Sequence, residues 1–164
     1  MSVNRIIAGL ALGAAWLVHA QTPATPYGLI RQLSVEVIDT VKSDKAIQAG
    51  DLNKIISLVD SKVMPHVNFQ RMTASAVGRH WRGATPEQQK KLQDEFKTLL
   101  VRTYAGALTQ VKDQSVQLKP LRAAAEDTEV VVRTEIKGKG EPIQLDYRLE
   151  KADTARTIYA VTVL

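Results

Sequence analysis

Apolar and polar positions alternate along this chain in two different rhythms, helical in the first half and two-residue in the second. From Pro26 to about Asp44, Leu29, Ile30, Leu33, Val37, Ile38 and Val41 recur at helical spacing and predict a first helix. Gly50 breaks the chain, and Asp51 is placed to cap a second helix that carries Ile55, Ile56, Val59 and Val63 inward and ends near Pro65. Asn68 caps a third, shorter helix with Phe69, Met72, Ala76 and Val77 on one side; it stops at Gly78, and Arg79–Ala84 is a link. The fourth and longest helix has the clearest start. Thr85 is the N-cap, Pro86 the first helical residue, and Gln88 stands three residues after the cap, which makes a capping box. Glu87 and Lys91 are spaced as a supporting pair on it. Its second half turns apolar: Leu92, Phe96, Leu99, Leu100, Tyr104, Ala107 and Val111 form one arc that Val101 and Leu108 widen, leaving mainly Arg102, Gly106 and Thr109 for water.

After Val111 the period changes to two. Ser115–Lys119 sets Val116 and Leu118 on one face, and Glu129–Lys137 sets Val130, Val132 and Ile136 against Val131, Arg133, Glu135 and Lys137. Gly138-Lys139-Gly140 has hairpin-turn composition. Ile143–Glu150 then places Ile143, Leu145, Tyr147 and Leu149 inside, and Arg156–Leu164 is a fourth strand whose parity the pattern leaves open. A sheet with one wet face needs a cover for the other, so the expected fold is α+β: four N-terminal helices packed on one face of a C-terminal antiparallel four-stranded sheet.

The chain has 164 residues, which suits one domain. Its first twenty residues read as a secretory signal peptide: Arg5 is the positive n-region, Ile6–Val18 the apolar h-region, and Val18-His19-Ala20 the small-residue approach to a cut before Gln21. That apolar run is short beside the roughly 20 residues a membrane-spanning helix needs. Residues 21–164 are then the single mature domain, with a net charge of +4 once Arg5 is removed. This is an ordinary solubility charge, and no basic tail or aromatic-interleaved basic stripe argues for nucleic acid. With no cysteine, a disulfide framework, a thiolate nucleophile and Cys-ligated zinc are excluded. Export without disulfides suits a bacterial periplasm.

Catalytic patterns find little support. His66 and His80 lack the spacing or the nearby carboxylates of a metal site, so no metal or cofactor is expected. No serine stands in a Gly-x-Ser-x-Gly setting, and the Gly138–Gly140 loop belongs to a hairpin and not to a strand-to-helix phosphate turn. The least implausible acid–base residues, Asp146 and Glu135, fall on the outer face by alternation. What remains is an aliphatic interior, which suits acyl chains and an ordinary filled core equally well.

The run Ala84-Thr-Pro-Glu-Gln-Gln89, the pattern EF-x-x-LLVRTYA-x-AL over Glu95–Leu108, and Trp81-Arg82 just before them resemble the MlaC, or toluene-tolerance, family. The resemblance extends from Pro26 to Val163. It implies an α+β domain with an apolar cavity between sheet and helices. It also implies a non-enzymatic periplasmic phospholipid carrier that works as a monomer within an ABC-type system maintaining outer-membrane lipid asymmetry. Such a carrier passes lipid between an outer-membrane lipoprotein complex and an inner-membrane ABC transporter complex. Carried onto this chain, the implied tail contacts are Met64, Val67, Phe69, Trp81, Leu100, Tyr104 and Leu108 from the helices, with Val132, Leu145 and Tyr147 from the sheet. Arg71, Arg79, Arg82 and Arg102 would gather around the mouth, facing anionic head groups or acidic partners. The last strand departs from the family pattern, with Arg156 in place of a Trp and Ala160 in place of an Asp. The chain ends at Leu164, where the family continues into a final helical piece, so a C-terminally shortened copy with one open side or an exposed strand edge is expected. The alternative is a non-catalytic structural or adaptor domain with a filled core.

Overall fold

The computed structural model describes residues 25–124, 126–152 and 155–164; the expected signal peptide, residues 1–20, lies outside them. Helix α1 (Pro26–Ser43) starts at Thr25, whose hydroxyl accepts the Gly28 N–H at 3.0 Å, and buries Leu29, Ile30, Leu33 and Val41. A one-turn helix, α2 (Lys45–Gln48), follows at once, its N–H groups held by the Asp44 carboxylate. This turn was not expected, since it carries a single buried apolar residue, Ile47, too few to set a period. Asp51 caps α3 (Leu52–Leu58) by accepting from the Asn53 and Lys54 N–H groups.

The second predicted helix does not run unbroken to Pro65. After Leu58 it widens into a π-helical turn, Val59–Val63, and then tightens into a 3-10 turn, Met64–His66. Pro65 has no N–H to continue the ladder, and although Met64 before it keeps α-region backbone, the chain is extended by Val67. Helix α4 (Phe69–Val77) is capped by Asn68 and stops at Gly78, whose φ of 69° favours glycine. A 3-10 turn over Gly78–Gly83 leads to α5 (Pro86–Thr109). The capping box forms as expected: Thr85 Oγ1 accepts the Gln88 N–H at 3.3 Å, and Gln88 Oε1 accepts the Thr85 N–H at 2.9 Å. On the polar face, the pair formed is Lys90–Asp94 at 2.8 Å and not Glu87–Lys91. Glu87 instead stays at the helix start, where the backbone N–H and the Thr85 hydroxyl hold its carboxylate below the ordinary range.

Strands β1 (Ser115–Leu118), β2 (Glu129–Lys137), β3 (Ile143–Lys151) and β4 (Arg156–Val163) form an antiparallel meander in sequence order. Pairing puts Val130, Leu149 and Ile158 in one inward row, Val132, Tyr147 and Val161 in the next, and Thr134, Leu145 and Val163 in a third. Between the first two rows the register slips: Leu149 pairs with Ile158 but Arg148 pairs with Ala160, so Tyr159 is an extra residue in β4. This bulge settles the parity of the last strand. Without it Ala160 and Thr162 would follow Ile158 inward; with it Val161 and Val163 do. Ile143, expected inside, lies near the sheet's end and is 46% exposed.

Two solid cores hold the layers together. In one, Leu29, Ile30 and Leu33 of α1 pack on Val130, Val132, Leu149 and Ile158 of the sheet. In the other, Val41, Ile47, Ile55, Leu58, Val101 and Ala105 join α1, α2, α3 and α5. The backbone between them is stitched to the edge of β4, where Val67 bridges Ile158 and the Asn68 N–H donates to the Ile158 carbonyl at 2.8 Å. No helix among the described residues is long and apolar enough to cross a membrane.

Candidate functional site: an apolar cavity between two cores

The two cores do not meet everywhere. Between them lies a cavity of about 530 Å³, open to solvent on one side. Leu33 and Ile158 reach it from the first core, and Ile55, Val101 and Ala105 from the second. Its helical wall comes from Val59 and Val63 of the π turn, Met64 and Val67, α4 and α5; its sheet wall comes from β3 and β4. The walls are almost wholly apolar, and no Asp, Glu or His is among the lining residues. Phe69 of α4 stacks on Phe96 of α5, centroids 5.7 Å apart, which fixes the spacing of two helices across the space.

Of the ten residues expected at the site, Met64, Val67, Phe69, Leu100, Tyr104, Leu108, Leu145 and Tyr147 line this cavity. Val132 does not: it is fully buried in the first core, under α1, because α1 covers the β1–β2 side of the sheet and leaves β3 and β4 to the cavity. Trp81 does not either. The positive φ of Gly78 redirects the chain after α4, and the Trp81 backbone carbonyl instead receives Gln89 Nε2 at 3.0 Å near the start of α5. The predicted apolar arc of α5 is also rotated. Phe96, Leu100 and Tyr104 face the cavity as expected, joined by Lys97, Val101, Ala105 and Leu108, whereas Leu99 is 59% exposed.

Lys97 is the residue that pattern reading missed. It is the single charged side chain among the lining residues, and its Nζ is 2.9 Å from Asp60 Oδ1 in the π turn. The signal was available, since Lys97 stands at i−3, i−4 and i−7 from Leu100, Val101 and Tyr104, on one helical stripe with them. Tyr147 contributes a partly buried hydroxyl from the sheet wall. Burial pushes its phenol up, against hydrogen bonds with Thr134 and Ser34.

The arginines expected at the mouth do not assemble there. Arg71 is turned to the sheet, bonded to Glu150 and Glu129 and stacked on Tyr159, while Arg79, Arg82 and Arg102 are exposed and line no part of the cavity. Asp146 and Glu135 also stay outside it, engaged by Arg133 and by Lys119 and Lys137.

The tips of Tyr104 on one wall and Val161 and Val163 on the other are about half exposed, which places the opening between α5 and the end of β4. Beyond Tyr159 the outer edge of β4 has no strand partner among the described residues.

Comparison with known proteins places this architecture. A phospholipid-binding protein from Ralstonia solanacearum, solved in complex with a phospholipid, superimposes with a TM-score of 0.82 at 45% identity, over 87% of this chain and 78% of that one. The intermembrane phospholipid transport system binding protein MlaC of Haemophilus influenzae is 23% identical over 112 residues, 68% of this chain and 52% of that protein. The toluene tolerance protein ttg2D of Pseudomonas putida is 25% identical over 115 residues, 70% of this chain and 54% of that protein. The chain thus matches about half the length of these two relatives. The family model for MlaC protein matches residues 31–164, from within α1 through the whole sheet, and the chain belongs to the MlaC family.

Proposed function

We propose that this protein is a phospholipid carrier that holds acyl tails in the cavity between its two cores and leaves the head group at the opening beside β4. The observation that carries the reading is the cavity itself: about 530 Å³ of aliphatic and aromatic wall with hydrocarbon chemistry and no catalytic carboxylate or histidine. Burial of each methylene contributes about 0.8 kcal/mol without directional demands. Tails are therefore retained with little regard to chain identity. The phospholipid bound by the Ralstonia solanacearum protein supports the same occupant here. A space of this size also argues against a domain whose core is simply full.

In this reading the chain is exported, its leader is removed at Ala20, and residues 21–164 work in the periplasm as a single monomeric domain. The carrier performs no chemistry and needs no cofactor or metal. It passes lipid between an outer-membrane lipoprotein complex and an inner-membrane ABC transporter complex, and so maintains the asymmetry of the outer membrane. Tail contacts fall to Met64, Val67, Phe69, Leu100, Tyr104, Leu108, Leu145 and Tyr147.

The test is direct. Protein expressed in a bacterial periplasm and purified without added lipid is denatured, extracted with organic solvent and read by mass spectrometry. About one phospholipid per chain is expected. A well-folded protein that carries none, and takes none up from vesicles, would overturn the carrier reading.

A further inference from the structure

A lone lysine among the residues lining an apolar cavity calls for a reason. We propose that Lys97 is the phosphate-recognising residue of the cavity and that Asp60 is its resident counter-ion while the phosphate is absent. The assignment rests on the carrier reading and names the head-group chemistry that the cavity selects.

Three observations carry it. Lys97 lines the cavity beside Leu100 and Val101, yet its side chain keeps 26% of its surface in water, so it borders both the apolar wall and solvent. Its partner, Asp60, is 47% exposed and close at hand, 2.9 Å away, on a different element. That element is the π-helical turn Val59–Val63, which lends Val59 and Val63 to the same cavity. The turn is tied again by Lys62 to Glu36 of α1, at 3.5 Å. A π turn is a wider winding than the α-helix it interrupts and is frequent at functional sites.

The chemistry follows. A phosphodiester with its tails in the cavity brings one negative charge to the rim. Lys97 offers three donors to it and forms charge-assisted hydrogen bonds. Exchange of the Asp60 carboxylate for the phosphate keeps the ammonium paired in both states, so no unpaired charge is left against an apolar wall. Release of Asp60 frees the rim contact between α5 and the π turn when lipid enters, and re-formation of the pair accompanies its departure. A neutral lipid with the same tails makes no such exchange.

The test compares dioleoyl phosphatidylglycerol with dioleoylglycerol, which has the same tails and no phosphate, each presented in mixed vesicles and read by equilibrium transfer to the protein. Wild type should prefer the phospholipid by about tenfold, the order of a charged hydrogen bond. Lys97→Met, which keeps the stem, should bring the ratio near one, Lys97→Arg should restore most of it, and Asp60→Asn should raise it. A ratio unchanged in Lys97→Met, or lowered in Asp60→Asn, would show the pair to be a brace only and would overturn the assignment. Inorganic phosphate should not displace the phospholipid; displacement would mean a site for the free anion and would overturn it as well. Wild type that takes up both lipids equally refutes the role of Lys97 and leaves the carrier reading intact, whereas wild type that takes up neither refutes both. Melting curves of each variant separate loss of binding from loss of fold.

Discussion

The guanidinium carbon of Arg71 lies 3.7 Å from the centroid of the Tyr159 ring, so a residue of α4 is seated on the one extra residue of β4. The same guanidinium donates to Glu129 at 2.8 Å and to Glu150, and the Tyr159 hydroxyl donates to Glu129 at 3.2 Å. Asn68, which caps α4, also donates to Glu150, at 2.7 Å. The bulge and the helix that forms one wall of the cavity are therefore held by one polar cluster. Arg71→Ala should lower stability by about 1–2 kcal/mol, the order of one cation–π contact plus two solvent-screened ion pairs. Urea denaturation of the two proteins measures it; an unchanged midpoint would remove the cluster from any account of how β4 is placed.

The cluster also sets a pH dependence. Hydrogen bonds from Arg71 and then from Tyr159 hold the Glu129 carboxyl below its ordinary value of 4.5. The unfolded chain then binds this proton more readily than the folded one, so the contribution is complete above about pH 5 and is lost as pH falls through the lowered folded value. Urea midpoints recorded between neutral pH and pH 3 should fall on the acid side. The fall should be shallower in Arg71→Ala, where the main cause of the shift is gone.

Cavity wall and core should respond differently to substitution. Tyr104 lines the opening and is 51% exposed, so Tyr104→Glu should abolish lipid retention while moving the melting temperature little. Val132 is fully buried under α1 and outside the cavity, so Val132→Ala should cost roughly 1–3 kcal/mol and leave retained lipid per folded chain at the wild-type level. Extraction and mass spectrometry on both, beside their melting curves, would expose a wrong division between wall and core.

Thr85 fixes where α5 begins and hence the rotation of its inward stripe. Thr85→Ala removes the acceptor for the Gln88 N–H and should lower stability by about 1 kcal/mol, with Thr85→Ser close to wild type. Chemical denaturation followed by circular dichroism reads both.

Elements written as local chemistry were legible in the sequence. The capping box at Thr85 and Gln88 appears as expected, and β2 runs from Glu129 to Lys137, the span its alternation predicts. The hairpin at Gly138–Gly140 follows from composition alone, and eight of the ten expected residues line the cavity. What escaped depends on neighbours. A charge is read as outward by default, so Lys97 pulled the predicted stripe of α5 toward Leu99, although its counter-ion lies 37 residues away. Val132 alternates just as Leu145 and Tyr147 do, and only the placement of α1 separates core from cavity. The slip at Tyr159 leaves no mark in composition, because a bulge is a relation between two strands and not a property of one. Arg71 could not be assigned to the sheet before β2 and β3 had brought Glu129 opposite Glu150.

The division of the interior into two cores has a bearing on how the stability of the fold answers to an occupant of the cavity. Each core has its own contacts, α1 on the sheet in one and four helices together in the other, and Leu33, Ile158, Ile55, Val101 and Ala105 carry both to the cavity wall. Ligand then adds stability by mass action, rising as the logarithm of the ratio of its concentration to its dissociation constant. On the carrier reading proposed above, a tail seated there would touch residues of both cores at once.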